Sequence, residues 1–289
     1  MNMANPDLTG LLSLDGFSFS VHASPDGRER ALVVAQRAER TRVWLDETVG
    51  IPPLPPLFVL GADDWPRFAT NPVYGLPHVT AERVVVGKEA AGLWSGLQEA
   101  IWPNLPEPAR RRLNAVYGDP IDLSGFADLL ISHELTHVVH GEPSWLMLKS
   151  VEPYLVGSAK TLWVMELFAN LGLQGYVSDV EPDQQQSLET LFEVVWDHAA
   201  LPHKLHGLHD MAAAMMSDAL NYVWFEFGLQ LLARRLWRTA GVTALRALRD
   251  TLAGPVLSDD EIHELLMGLD SVVAEAARSW PHWKSADLR

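Results

Sequence analysis

The chain has 289 residues, 48% of them hydrophobic, enough to fill one large core or two lobes around a cleft. Its 37 acidic against 22 basic side chains leave a net charge of −15, which disfavours phosphate backbones and anionic lipid surfaces, so neither nucleic acid nor a membrane is an expected partner. Cysteine is absent, which excludes disulfides and thiolate metal sites and leaves any metal chemistry to histidine and carboxylate.

Residues 1–7 carry no basic stretch followed by an apolar run, and no apolar segment reaches the length of a membrane span; a cytoplasmic location is the expectation. Residues 17–22 alternate as a strand does, and residues 28–49 have helical spacing through Leu32, Ala35, Val43 and Leu45. The proline-rich run 51–56 then breaks the chain. Residues 57–60 and 83–86 are short β-branched or aromatic runs bounded by glycine, which predicts two strands of a small sheet. The second of these suits either an edge strand that can pair with an extended peptide or a plain core strand. Residues 124–141 read as one helix, with Ser124 as its N-cap, Gly141 at C′, and Phe126, Leu129, Leu130, Val138 and Val139 to pin it in a core. Residues 162–176 form a second, more apolar helix. Beyond Gly175 the chain reads as helical, with polar breaks at 181–186 and at Gly254-Pro255, and no internal repeat or low-complexity tract appears.

Within the first of these helices stands His133-Glu134-Leu135-Thr136-His137, an HExxH motif. Helical residues four apart lie one above the other on the same face, so both imidazoles can aim at one metal ion. Glu134 sits about 100° round, close enough to take a proton from a water held by that metal. The rival reading, two histidines and a glutamate decorating an ordinary helix, would bury polar groups that must be satisfied elsewhere. A third ligand is available in Glu166, the sole acid of 162–176; two imidazoles and one carboxylate leave the fourth tetrahedral position open to water. The alternative for Glu166 is pairing with Lys160 or a backbone donor. Asn170 lies one turn further on the same face, where its side-chain oxygen can accept the second ring N–H of His133 or His137. One zinc ion, Zn2+, is the expected cofactor.

His133-Glu134-x-x-His137 followed by Trp163-x-x-Glu166-x-Phe168-Ala169 resembles the gluzincin class of zinc metallopeptidases, with its thermolysin-like and aminopeptidase-like members. The likeness continues more weakly through Tyr222, Gly228, Leu231, Leu232, Leu236, Gly241, Leu245, Leu248 and 268–280, so that it covers roughly the last two thirds of the chain. It implies an α+β, zincin-like fold: a small mixed sheet in an N-terminal lobe, 1–141, ending in the HExxH helix, and a mainly helical lobe, 142–289, that carries the third ligand, with the metal cleft between them. It also implies cleavage of peptide bonds in a peptide or protein substrate, with His133, His137 and Glu166 holding zinc and Glu134 as general base. A tyrosine near Tyr222 would then donate to the oxyanion. Tyr222 can equally be an aromatic packed beside Trp224 and Phe225, and the loop carrying His198, His203, His206 and His209 can supply the donor instead, or bind a second metal. His140, one turn past His137, is read as peripheral.

The chain departs from that class in two respects. The connection between His137 and Glu166, including 141–153, is longer than in most such enzymes, and there is no Gly-x-Met-Glu-Asn string, by which the aminopeptidases of the class recognise a free amino terminus. An exopeptidase assignment is therefore unsupported, and the choice between endo- and exopeptidase stays open. The metzincin pattern, which needs a third histidine six residues after the second, is excluded by Pro143. Two further readings remain at this stage: a peptide- or protein-binding module with a structural or vestigial zinc site, motivated by the long connection and the 11 tryptophans, and hydrolysis of a non-peptide amide or epoxide by the same metal site. Pocket walls and oligomeric state are not written in spacing.

Overall fold

Apolar runs of three to five residues are too short for stable helices, and before residue 88 they assemble instead into a sheet. In a computed structural model, which describes residues 8–90, 92–140, 156–198 and 205–289, the strands are β1 (Leu12–Leu14), β2 (Val21–Ala23), β3 (Leu57–Leu60), β4 (His78–Thr80) and β5 (Arg83–Gly87). Their order is β1-β2-β3-β5-β4, parallel across β2-β3-β5 and antiparallel at both flanks, so the sheet is mixed and the fold is α+β. Side chains alternate across it: Leu57, Val59, Val84 and Val86 enter the main core, while Phe58, Leu60 and Val85 turn the other way onto Trp65 and Phe68. Burial on both faces explains why β3 and β5 read as continuous apolar runs.

Several expectations change here. Of residues 17–22 only Val21 and His22 are in a strand; the Ser18 N–H and hydroxyl are instead held by the Glu39 carboxylate, at 3.1 and 2.8 Å. The run 83–86 is not an edge. β5 lies between β3 and β4, and the edge on that side is β4, whose three residues are too few to show a period.

The helix Arg28–Thr48 joins β2 to β3 and buries Ala31, Val34, Ala35, Ala38 and Leu45. The stretch from 124 is two segments, Ser124–Leu129 and Ile131–Val138, joined at Leu130. Ser124 is not the N-cap: Leu123 takes that place, and the Asp122 carboxylate accepts the Ser124 N–H at 2.8 Å. Gly141 lies outside the described residues. The helix Val156–Val180 is apolar nearly all round, as a helix surrounded by protein should be, and it packs against Ile131–Val138, Ala219–Ala240, Val242–Leu252 and Arg28–Thr48. Its far end is tied to the helix Arg28–Thr48 through Glu181, which accepts from Arg37, Arg40 and Tyr176. Burial works against the charge of Glu181, yet these three donors hold its pKa down to about 2. Among the described residues no helix is long and apolar enough to cross a membrane.

Candidate metal centre

Two of the core helices bring the chemistry together. Ile131, Leu135 and Val138 pack one side of the helix Ile131–Val138 into the core, which leaves the i, i+4 pair His133 and His137 directed at the neighbouring helix Val156–Val180. The two helices approach closely because Gly172 has no side chain where Thr136 packs: a Cβ there would overlap Oγ1, Cγ2 and Cβ of Thr136. Thr136 in turn donates to the Ser132 carbonyl at 2.7 Å, and the Ser132 hydroxyl meets Thr41 at 2.9 Å, so little can yield. Gly172→Ala is expected to cost about 1–3 kcal/mol by overpacking, read in denaturant unfolding, and to lower metal affinity by spreading the two helices. Gly96→Ala, in a helix with open space at its Cβ, is the control and is expected to be neutral or stabilising.

Across this contact the three expected ligand atoms form a nearly regular triangle. His133 Nε2 and His137 Nε2 are 3.1 Å apart, and Glu166 Oε2 lies 3.1 Å from His137 Nε2 and 3.2 Å from His133 Nε2. Ligand atoms about 2.0–2.1 Å from one small ion in tetrahedral coordination stand about 3.3 Å from each other, so the donor set fits a metal ion with little adjustment. Among the described residues this is the only group of three or more such side chains close enough to hold one. Glu166 and His137 are buried and His133 nearly so, which makes the cluster costly unless a cation or protons occupy it. The alternative partner for Glu166, Lys160, has a side chain outside those described.

The electrostatics follow from burial and proximity. Burial opposes charge on Glu166, but His137 and His133 hold its pKa far below the usual carboxylate range. Burial alone would lower His133; its hydrogen bond to Glu166 and the charges of Glu134, Glu166 and Glu226 push it up to about 9 instead. Glu134, not part of the triangle, is buried and raised by desolvation, with His133 and His137 pulling the other way.

Asn170 lies on the helix Val156–Val180, one turn beyond Glu166. Its Oδ1 lies 3.2 Å from His133 Nδ1, and because an amide oxygen only accepts, that nitrogen carries the proton and Nε2 keeps its lone pair for a metal. Its Nδ2 donates at 2.9 Å to Glu226, on the helix Ala219–Ala240. Glu226 was not among the expected residues. Burial and the charge of Glu166 push its pKa up to about 8. Tyr222, one turn earlier on that helix, interacts with the same carboxyl group, and burial together with Glu166 and Glu226 raises its phenol well above the ordinary value.

All these side chains border one cavity of about 480 Å³. His133, Glu134, His137, Glu166, Asn170, Tyr222 and Glu226 line it, along with residues 70–73 and 76–79 leading into β4, and Trp94, Leu130, Phe192, Val223 and Phe227 form an apolar wall. Tyr222 is half-buried and lines the cavity. The histidine-rich loop is only partly described: His203 lies outside the described residues, His209 pairs with Asp259 at 3.0 Å, and His206 lies edge-on to Trp224. None of its described histidines lines the cavity. His140 is peripheral as expected, packed on the Phe168 ring with its pKa pushed down to about 4 by burial and by the charges of His137 and Arg249. The long connection 141–153 lies outside the described residues.

Compared with known proteins, the chain matches no family model, no curated protein and no solved structure.

Proposed function

We propose that this chain is a zinc-dependent hydrolase of peptide bonds, gluzincin-like in its site and zincin-like in its fold. The observation that carries the reading is the convergence of His133, His137 and Glu166 on one wall of a cavity that Glu134 and Tyr222 also line. Two imidazoles and one carboxylate at tetrahedral spacing, in a chain without cysteine, favour zinc over magnesium or calcium, which prefer all-oxygen sites, and over iron–sulfur clusters. When bound, such an ion supplies Lewis acidity that brings the pKa of a water near neutral and polarises a carbonyl.

The protein's own groups supply the rest. Glu134 takes the proton of the attacking water and delivers it to the leaving amine; burial, which raises its pKa, suits it to both halves of that exchange. Tyr222 keeps its proton at any physiological pH and so serves as a donor to the oxyanion. Peptide is favoured over other amides because β4, the outermost of the described strands, borders the cavity through His78 and Val79, so that an extended backbone lying there would run alongside a strand. The wall of Trp94, Phe192, Val223 and Phe227 suits an apolar side chain next to the scissile bond.

The test is a mixed peptide pool incubated with the protein, with and without a zinc chelator, and after zinc is restored. Cleavage next to apolar residues is expected, lost on chelation and regained with zinc. Peptides that bind but stay intact in the zinc-loaded protein would overturn the hydrolase and leave a binding module.

A further inference from the structure

His133 can serve as a ligand through Nε2 only in the tautomer that carries its proton on Nδ1, and the partner that imposes this tautomer is an amide. A carboxylate at position 170 could only accept. Asparagine is ambiguous: turned by 180° about its last side-chain bond it offers N–H groups in place of the oxygen, which would favour the opposite tautomer and place the proton on the metal-facing nitrogen. Something must fix its sense. Glu226 lies against the amide nitrogen, with Oε2 2.9 Å from Nδ2; in its ionised form, favoured above its pKa of about 8 and by a cation held at the neighbouring ligand triangle, it can accept from the NH2 group but cannot donate to the oxygen.

Other roles for Glu226 fit less well. The groups that stabilise its charge are His133, Asn170 and Tyr222, none of them lysine or arginine, so it is not half of an ordinary buried ion pair. It is also outside the three-residue metal group. What remains is a contact chain from Glu226 Oε2 to Asn170 Nδ2, then from Asn170 Oδ1 to His133 Nδ1, drawn from three helices.

We propose that Glu226 is a positioning residue that locks the sense of the Asn170 amide and, through it, the tautomer in which His133 presents an unprotonated Nε2. The proposal rests on the metal-site reading above. It predicts a reciprocal pattern across the 170–226 contact. Glu226→Gln keeps the shape but can donate as well as accept, so the amide is free to turn and zinc affinity falls by about 10–100-fold, the range for outer partners of metal histidines. Adding Asn170→Asp to Glu226→Gln exchanges donor and acceptor: the carboxylate now at position 170 accepts both from His133 and from the side-chain amide now at position 226. That double variant is expected to recover zinc affinity to within a few-fold of the parent.

The experiment measures zinc affinity of the full chain by competition with a chromophoric chelator for the parent, Glu226→Gln, and the double variant. Alongside it, the His133 tautomer is read in metal-free protein from long-range proton–nitrogen NMR correlations at about pH 10, above the pKa of about 9 of His133 and of about 8 of Glu226, where the imidazole is neutral and the carboxylate ionised. A loss in Glu226→Gln accompanied by a shift toward the Nε2–H tautomer, with both reversed in the double variant, supports the lock; a merely structural role would show no such reversal. Unchanged affinity and tautomer in Glu226→Gln, or a double variant no better than the single one, overturns it. If Glu226→Gln does not fold, the double variant decides alone, since the lock requires it to carry the Nδ1–H tautomer and bind zinc near the parent level. If the parent itself binds no zinc, the metal reading fails, and the metal-free tautomer measurement still decides the role of Glu226.

Discussion

Glu134→Gln is expected to lower kcat by about 10²–10⁴-fold, the usual worth of a positioned general acid–base, while zinc content stays at the parent level. Separation of the two readouts follows from geometry. The ligand triangle is complete without Glu134, whose carboxylate is excluded from the metal group although it sits next to His133 in sequence and lines the same cavity. Glutamine has nearly the same volume and stays polar, so the buried position is not left empty, but it cannot hold a transferable proton. The measurement is kcat on a peptide cut by the parent, with bound zinc determined by atomic absorption on the same preparation. Full activity in the variant would remove Glu134 from the mechanism, and loss of zinc would mean that the side chain is structural.

How much of this was legible in advance depends on how local each signal is. His133 and His137 declare themselves because four residues is one helical turn, and Glu166 because a lone acid in an apolar helix needs a reason. Asn170 follows from Glu166 by the same turn. Glu226 carries an equally good signal, an acid flanked by Phe225 and Phe227, yet the class resemblance singles out Tyr222 four residues earlier; applying the lone-acid argument to every apolar helix would have found it.

The sheet was less readable. β3 and β5 are four and five apolar-rich residues and stand out, whereas β1 and β4 are three residues each and fall below any period. Which strand forms the edge depends on pairing between segments distant along the chain, and local pattern is silent about that. The break at Leu130 separates a segment that packs on the helix Gln185–His198 from one that packs on Arg28–Thr48 and Val156–Val180, partners distant along the chain, and at the start Asp122, not Ser124, is positioned to accept the first free N–H.

Glu166→Gln is expected to weaken zinc binding by more than the 10–100-fold that loss of an outer partner costs, because it removes the only anionic ligand from a buried three-atom set. The same substitution should also change how the metal-free protein responds to pH. Against the burial that would lower it, His133 has its pKa raised from 6.5 to about 9, largely through Glu166, so its contribution to stability is complete below 6.5 and disappears as the pH rises through about 9. Glu166 is depressed from 4.5, so its contribution is complete above 4.5 and fades as the pH falls below that value. Both are therefore present between about 4.5 and 6.5, and metal-free parent and variant should differ most in thermal stability within that window, converging toward pH 9. Saturating zinc should abolish the convergence for the parent, because the cation replaces the proton as partner of the carboxylate and remains bound at pH 9. Calorimetric scans across this pH range, with and without zinc, measure it. A difference between parent and variant that does not vary with pH in the metal-free state would mean that Glu166 and the two imidazoles do not share charge, and the site would have to be rebuilt around another carboxylate.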